Sequence, residues 1–404
     1  MGQIIQVRAL AMGDVAIFDT DRSITGQEGH NFARPVQSEG IPASLANRLF
    51  ERDPEIDHVH VLSNTVSARR SGGWNEADLA GAAEVVGNLF VFYRLESPAE
   101  RDERLRQANY NATLESIRRH NEDLWIAWIR PDQPVPQFQP GQYTTLGLGY
   151  WEPRSDDATE SLDEEQTQKM ARRSYSVASS IIDTETGELL PAHLPAVEFY
   201  IVRVRPGVGD LPVLTPRLFT KNAGDRIFMS QKFTGRYTLD GVEPDDTVIF
   251  LSTGTGEAPQ NTMTAELLRS GHEGQIVNVV CVRYRRDLGY LEQQQLVQAR
   301  FDNYRYVALT TREPENLNNK VYIQDYIESG QLESLLGQPL HPSGTHVFLC
   351  GNPSMIGLPK WAEETPVFPA TRGVCEILFE RGFTIDRRKT RGNVHYEEYW
   401  KDPD

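Results

Sequence analysis

Hydrophobic and polar positions change their period near Asp246, and the change divides the chain. Beyond it, Val248-Ile249-Phe250-Leu251 is an apolar run too short for a helix, which predicts a strand buried on both faces. Gly254 and Gly256 make a turn, and residues 261–269 take up a helical pattern. The alternation repeats with a strand over 276–282, a helix over 288–299, a strand over 304–310, a helix over 322–328, a strand over 347–350 and an aromatic-rich strand over 394–400. Such alternation predicts a parallel sheet with helices on both faces, whose ligands sit at the carboxyl ends of the strands.

Upstream the pattern is β-rich. Strands are predicted over 113–119, 124–130 and 140–146, and over 197–204, where Phe199, Ile201 and Arg203 alternate. Short strands with Gly and Pro turns predict a small antiparallel β-barrel. The acidic stretch over 152–168 interrupts them and reads as a mobile loop. The first 93 residues have a compact α+β pattern, followed by a charged connector over 96–106. The expected organisation is multidomain: an α+β domain with its connector over 1–106, the barrel over 107–245 and the α/β parallel-sheet domain over 246–404.

Composition narrows the function. With 404 residues, 39% hydrophobic and 24% charged, the chain reads as a globular protein. No run approaches the roughly eighteen apolar residues of a spanning helix, and no signal pattern opens the chain, so a cytoplasmic protein is expected. A net charge of −16 disfavours nucleic acid as a partner. Three scattered cysteines, Cys281, Cys350 and Cys375, offer neither a metal site nor a disulfide framework, so redox chemistry would need an organic cofactor. A basic run, Arg381, Arg387, Arg388, Lys389 and Arg391, reads either as a solvated loop or as a landing site for an acidic protein.

Four strand ends carry candidate chemistry. At Arg173-Ser174-Tyr175-Ser176 an extended strand would present, on a shared face, a guanidinium for a pyrophosphate, a phenol for stacking and a hydroxyl for a ring nitrogen, which suits a flavin dinucleotide. An edge strand with a solvated arginine is the alternative. The turn Thr253-Gly254-Thr255-Gly256 lies between strand and helix, where backbone N–H groups hold phosphate. Thr311, Arg312, Lys320 and Tyr322 suit the 2′-phosphate of NADP, although they would serve equally as surface residues capping a helix. Cys350-Gly351 suits the lining of a nicotinamide pocket, or a small buried hydrophobe.

Together these residues resemble the ferredoxin–NADP⁺ reductase family, in particular its bacterial ferredoxin/flavodoxin reductase branch. The resemblance runs through Pro140-Gly141-Gln142-Tyr143, Arg173-x-Tyr175-Ser176, Leu214-Thr215-Pro216-Arg217-Leu218, Gly254-Thr255-Gly256-x-x-Pro259, Arg283-Tyr284, Cys350-Gly351-Asn352-Pro353-x-Met355 and Tyr399-Trp400. It implies FAD and NADP(H) as cofactors, with electrons passing between NADPH and ferredoxin or flavodoxin by hydride transfer to the flavin and one-electron steps to the partner. Arg173 would meet the FAD pyrophosphate, Tyr175 would stack on the flavin, and Ser176, Cys350 and Glu397 would shape the pocket at its reactive nitrogen. Tyr399 would guard the ring and yield to nicotinamide. The rest of the implied cofactor contacts are Tyr200, Ile201, Val202, Arg203, Val213, Leu214, Thr215, Arg283, Met355 and Trp400. Two departures stand out: Glu257 replaces the apolar residue usual in the glycine turn, and residues 401–404 run past the aromatic end.

The N-terminal region resembles the N-terminal domain of Nfu-type iron–sulfur scaffold proteins through Ser44-Leu45-Ala46, His58-Val59-His60-Val61, Asn64-Thr65-Val66-Ser67 and Trp74. The paired cysteines of that family are absent, which implies a docking module. A reductase serving an oxygenase, or an iron–sulfur assembly adaptor, is the alternative function.

Overall fold

Two-residue alternation in β2 (Val15–Thr20) buries Ala16, Phe18 and Thr20 on one side. β1 (Val7–Met12), β2, β3 (Gly29–Ala33), β4 (Ile56–Leu62) and β5 (Thr65–Arg70) pair antiparallel in the order β1-β2-β5-β4-β3. α1 (Ile41–Arg52) turns Leu45, Ala46, Leu49 and Phe50 into the same core as Phe18, Val59, Val61 and Val66. α2 (Glu76–Gly87) starts where the Asn75 side chain accepts the Asp78 N–H at 2.9 Å. These elements make up the first of two compact units, Met1–Pro98 and Ala99–Asp404, of a computed structural model that describes residues 4–91, 97–192, 194–205, 212–387 and 390–399.

The second unit opens with α3 (Pro98–Asn109), the helix formed by the charged connector. β6 (Ala112–Asn121), β7 (Leu124–Pro131), β8 (Tyr143–Gly149), β9 (Met170–Ser176), β10 (Val197–Val202) and β11 (Arg226–Met229) form one antiparallel sheet, ordered β10-β7-β6-β11-β8-β9. Just past β9, Ala178 bridges to Glu198 of β10. Leu114, Ile129, Leu146, Leu148, Phe199 and Ile201 fill its interior, and α4 (Thr215–Leu218) adds Leu218. The Pro140-Gly141 corner has a steric cause. Gly141 sits at φ +94°, and a Cβ there would lie 2.0 Å from the Tyr237 carbonyl oxygen.

The acidic stretch over 152–168 is tied down where a mobile loop was expected. Glu152 accepts hydrogen bonds from Arg106, Lys221 and Tyr110, Glu160 from Arg217, and Asp157 from Arg203. Glu152 and Glu160 are buried; burial raises their carboxyls, but Arg106 and Lys221 for the first, and Arg217 and Arg154 for the second, outweigh it and hold them below the usual range.

The parallel sheet consists of β12 (Thr247–Thr253), β13 (Ile276–Val282), β14 (Tyr304–Thr310), β15 (Thr345–Gly351) and β18 (Val394–Glu398), ordered β14-β13-β12-β15-β18. Its helices are α5 (Glu257–Arg269), α6 (Leu291–Arg300), α7 (Ile323–Glu328), α8 (Gln331–Leu336), α9 (Pro353–Ile356) and α10 (Val374–Glu380). A small hairpin, β16 (Lys360–Ala362) with β17 (Thr365–Val367), had no signal in the periodicity. Strand order reverses between β12 and β15, which opens a crevice at their carboxyl ends. No described helix is long and apolar enough to cross a membrane.

Candidate functional site

The crevice is built by close backbone approach. β12 ends at Thr253, and the turn Gly254–Gly256 leads directly into α5, four residues earlier than the helical pattern indicated. Gly254 has φ +56° and Gly351 φ +122°, where a side chain is strained. A Cβ on Gly256 would lie 2.3 Å from the Cys350 carbonyl oxygen, and one on Gly351 2.3 Å from Thr253 Oγ1. The same Thr253 hydroxyl accepts the Asn352 N–H at 2.7 Å. The two strand ends are thereby pinned together beside the first turn of α5.

Ser176, Cys350, Glu397 and Tyr399 meet around this crevice. Cys350 and Glu397 are register partners across β15 and β18. Ser176, at the end of β9, donates to Glu397 Oε2 at 3.0 Å. Ser176 lies an odd number of residues from Arg173 and Tyr175, so the two-residue period turns it to the opposite side of the strand; the shared face expected for all three holds only for Arg173 and Tyr175. Burial pushes the Glu397 carboxyl up to about 7 against the opposing pull of the Ser176 hydrogen bond, so it holds or gives up a proton near neutrality. Burial, then the nearby Glu397, keeps the Cys350 thiol protonated. Tyr399 donates to the Thr255 carbonyl at 2.9 Å and packs with Cys350. Trp400 lies outside the described residues.

Along β9, Arg173 is exposed and, among the described residues, donates to its neighbour Arg172's carbonyl, while Tyr175 is half-buried. Tyr200 reaches from β10 into the parallel-sheet part, where its hydroxyl accepts the Gly289 N–H at 2.8 Å and donates to the Asp287 carbonyl at 3.0 Å. Ile201 is buried, Val202 exposed, and Arg203 is ion-paired to Asp157 at 2.5 Å. Val213 and Leu214 precede α4, and the Thr215 hydroxyl accepts the Val204 N–H at 3.2 Å.

At the ends of β13 and β14 the Arg283 and Arg312 side chains are exposed on neighbouring strands, with Lys320 and Tyr322 exposed ahead of α7. Among the described residues, Arg283, Arg312 and Lys320 have no side-chain counter-charge within ion-pair distance. Thr311 turns inward and bonds the Val282 carbonyl, and Met355 is buried in the core. The basic run is engaged internally where it is described. Arg381 pairs with Glu333, Arg387 bonds the Glu363 carbonyl and stacks on Trp361, and Arg391 bonds the carbonyls of Arg236, Thr238 and Asp240. Arg388 and Lys389 lie outside the described residues.

Sequence reasoning missed a buried polar seam behind the turn. Glu257 points into the interior, where Gln294 donates to it at 2.8 Å. Burial pushes its carboxyl up to about 7. Glu198, also raised by burial, accepts from Tyr290 at 2.6 Å and from the Ser180 N–H at 2.9 Å. A signal existed for Glu257, since a carboxylate beside phosphate is repulsive unless it turns inward.

The sequence profile of the oxidoreductase NAD-binding domain matches residues 250–359. The flavodoxin/ferredoxin–NADP reductase of Escherichia coli (strain K12) is 32% identical over 228 residues, covering 55% of this chain and 77% of that protein. The flavodoxin/ferredoxin–NADP reductase of Buchnera aphidicola subsp. Schizaphis graminum is 24% identical over 290-odd residues, covering 72% of this chain and 98% of that one. The solved structure of a ferredoxin NADP⁺ reductase from Neisseria gonorrhoeae with bound FAD and NADP superposes with a TM-score of 0.54 at 17% identity, covering 72% of this chain and 98% of that one, a likeness of fold.

Proposed function

The chain belongs to the flavodoxin/ferredoxin–NADP reductase family, and from that premise we propose that its second unit passes electrons between NADPH and a ferredoxin or flavodoxin by way of bound FAD. The observation that carries this reading is the meeting of Ser176, from the antiparallel sheet, with Glu397 and Cys350, from the parallel one. FAD, when bound, accepts electrons in pairs as hydride and releases them singly.

The residues fit both cofactors. Arg173, exposed on β9, offers a fork for a pyrophosphate, and Tyr175 two residues on offers a ring on the same face. Gly256 and Gly351 leave room that a Cβ would fill. The turn before α5 offers N–H groups and the positive end of a 13-residue helix to a phosphate. Arg283, Arg312 and Lys320 stand ready for the 2′-phosphate, with Tyr322 beside them. Ser176 and Glu397 hold a proton between Oγ and Oε2 at the crevice, where Glu397 is poised to take or release one. Tyr399 covers the same corner and excludes water.

On this reading the six-stranded antiparallel sheet is the FAD barrel, closed through the Ala178–Glu198 bridge, and residues 246–404 bind NADP(H). The first unit serves as a docking module. The test is direct. Purified protein is expected to be yellow and to bleach on anaerobic addition of NADPH; folded protein that takes up no FAD, or whose bound flavin NADPH leaves oxidised, overturns the reading.

A further inference from the structure

A second titratable cluster lies at the opposite end of the strands that carry Cys350 and Glu397. His346 precedes Phe348 and Cys350 by steps of two on β15, and His395 precedes Glu397 by two on β18. Phe348 pairs with His395 and Cys350 with Glu397, so both rows share one face of the sheet. His395 and Glu397 are therefore about 7 Å apart along β18, and His346 lies two residues further back.

The two imidazoles stack at 5.3 Å with an interplanar angle of 8°, and His346 Nδ1 is 3.0 Å from His395 Nε2. His395 Nδ1 is 2.9 Å from Asp386 Oδ2, and His346 Nε2 is 3.4 Å from Asp246 Oδ2. Asp386 Oδ1 accepts the Gly392 N–H at 2.7 Å, and Asp246 Oδ2 accepts the Glu243 N–H at 2.8 Å. A cation, Arg391, lies 3.9 Å from Asp386. Asp246, Arg391 and Asp386 are the charged side chains that act most on the His346 ring.

Counting protons along this row gives a definite answer. Each outer nitrogen faces a carboxylate and needs a hydrogen, because a lone pair there would repel it. The contact between the rings needs one more. Three hydrogens on two imidazoles make one positive charge, neither zero nor two. Burial, and after it the neighbouring His395, pushes the His346 ring toward its neutral form.

We propose that His346 and His395 share one proton that clamps β18 to β15, and that this clamp positions Glu397 against Ser176. β18 is the edge strand of the sheet, with β15 on one side and, among the described residues, a single bridge from Val394 to Ile385 on the other, so side-chain links weigh heavily in holding it. His395 is fully buried, and Asp386 and Arg391 sit in the loop that delivers β18 to the sheet, with Arg391 bound to three carbonyls of the 236–240 segment. Loss of the shared proton as pH rises leaves one of the three contacts lone pair against lone pair, or lone pair against carboxylate. β18 then loosens, and Glu397 with it. The role in turnover rests on the function proposed above, whereas the clamp itself does not.

The test uses the full-length protein. Ring-nitrogen NMR should find three hydrogens on the two imidazoles at pH 6, and the pair should lose one as pH rises. Hydrogen exchange of the amides over 394–398, corrected for intrinsic base catalysis, should accelerate roughly tenfold relative to β12 over the same titration. In His346→Asn the exchange should be fast already at pH 6 and indifferent to pH. If that variant fails to fold, Asp246→Asn removes only the terminal charge and should shift the transition to lower pH. Two neutral rings at pH 6, or equal corrected exchange across the titration in the parent, would overturn the clamp. The rate at which NADPH bleaches the flavin, read in the same samples, should fall in step with the loosening of β18. A rate that ignores it overturns the positioning role, and colourless protein overturns the earlier reading while leaving the exchange test intact.

Discussion

Glu397 and Glu257 are both carboxyls raised to about 7 by burial, yet only the first faces the crevice. A carboxyl whose folded pKa exceeds its unfolded value costs stability as pH rises, because the folded state binds the extra proton between the two values. For the fully buried Glu257 that window runs from about 4.5 to about 7, and the cost above it is roughly 3 kcal/mol. Glu257→Gln should therefore leave stability unchanged near pH 4 and raise it by roughly 2–3 kcal/mol at pH 8, as urea midpoints at the two pH values would reveal. Equal midpoint shifts at both would contradict the ionisation argument. At the phosphate corner, neutralising Arg312 and Lys320 should raise the KM for NADPH about 10- to 100-fold and leave NADH nearly unaffected, since a charged hydrogen bond contributes about 1.5–3 kcal/mol. Equal losses with both nucleotides would remove the 2′-phosphate from the assignment. The position of Arg312, just past the strand predicted over 304–310, was legible in the sequence because a strand end fixes where the residue after it lies. The face of Ser176 was misjudged by a single residue, and in a strand a single residue is the whole difference between one side and the other.

Among the elements, strands β13 and β14 appear where the apolar runs placed them; β13 is buried on both faces, whereas β14, at the sheet's edge, is only partly covered. The start of α5 was less legible. Pro259 is tolerated in a first turn, so helix begins at Glu257 instead of after the proline. The 152–168 segment was illegible for a different reason: its acidic residues look solvated until Arg106, Arg203, Arg217 and Lys221 are brought to them by the fold. Glu160→Gln leaves the fully buried Arg217 without its counter-charge and should cost about 3 kcal/mol, measured by denaturant unfolding. A cost below about 0.5 kcal/mol would place that pair with the weak surface ones. Gly351→Ala forces a Cβ to within 2.3 Å of Thr253 Oγ1 at a positive φ, so NADPH-dependent activity should be lost even where the fold survives. Full activity in that variant would show that the two strand ends need not approach so closely.

At the scale of the whole molecule, the chain separates after Pro98, and the second unit contains every residue assigned to the crevice. Residues 99–404 alone should bleach a bound flavin with NADPH as fast as the full chain does, within about twofold, while any preference among protein acceptors that depends on the first unit should change. What the sequence conveyed best was the order of its motifs, since each strand end carries its own small signature. What the residue pattern alone could not convey was the convergence of residues far apart in the chain: the family resemblance put Ser176 and Glu397 in one pocket, but nothing put His346 on His395. The account stands on the first of these meetings. Its most direct test is the single-turnover rate at which NADPH bleaches the flavin in Ser176→Ala: the rate should fall about a hundredfold with FAD still bound, and an unchanged rate would contradict the placement of hydride transfer at this crevice.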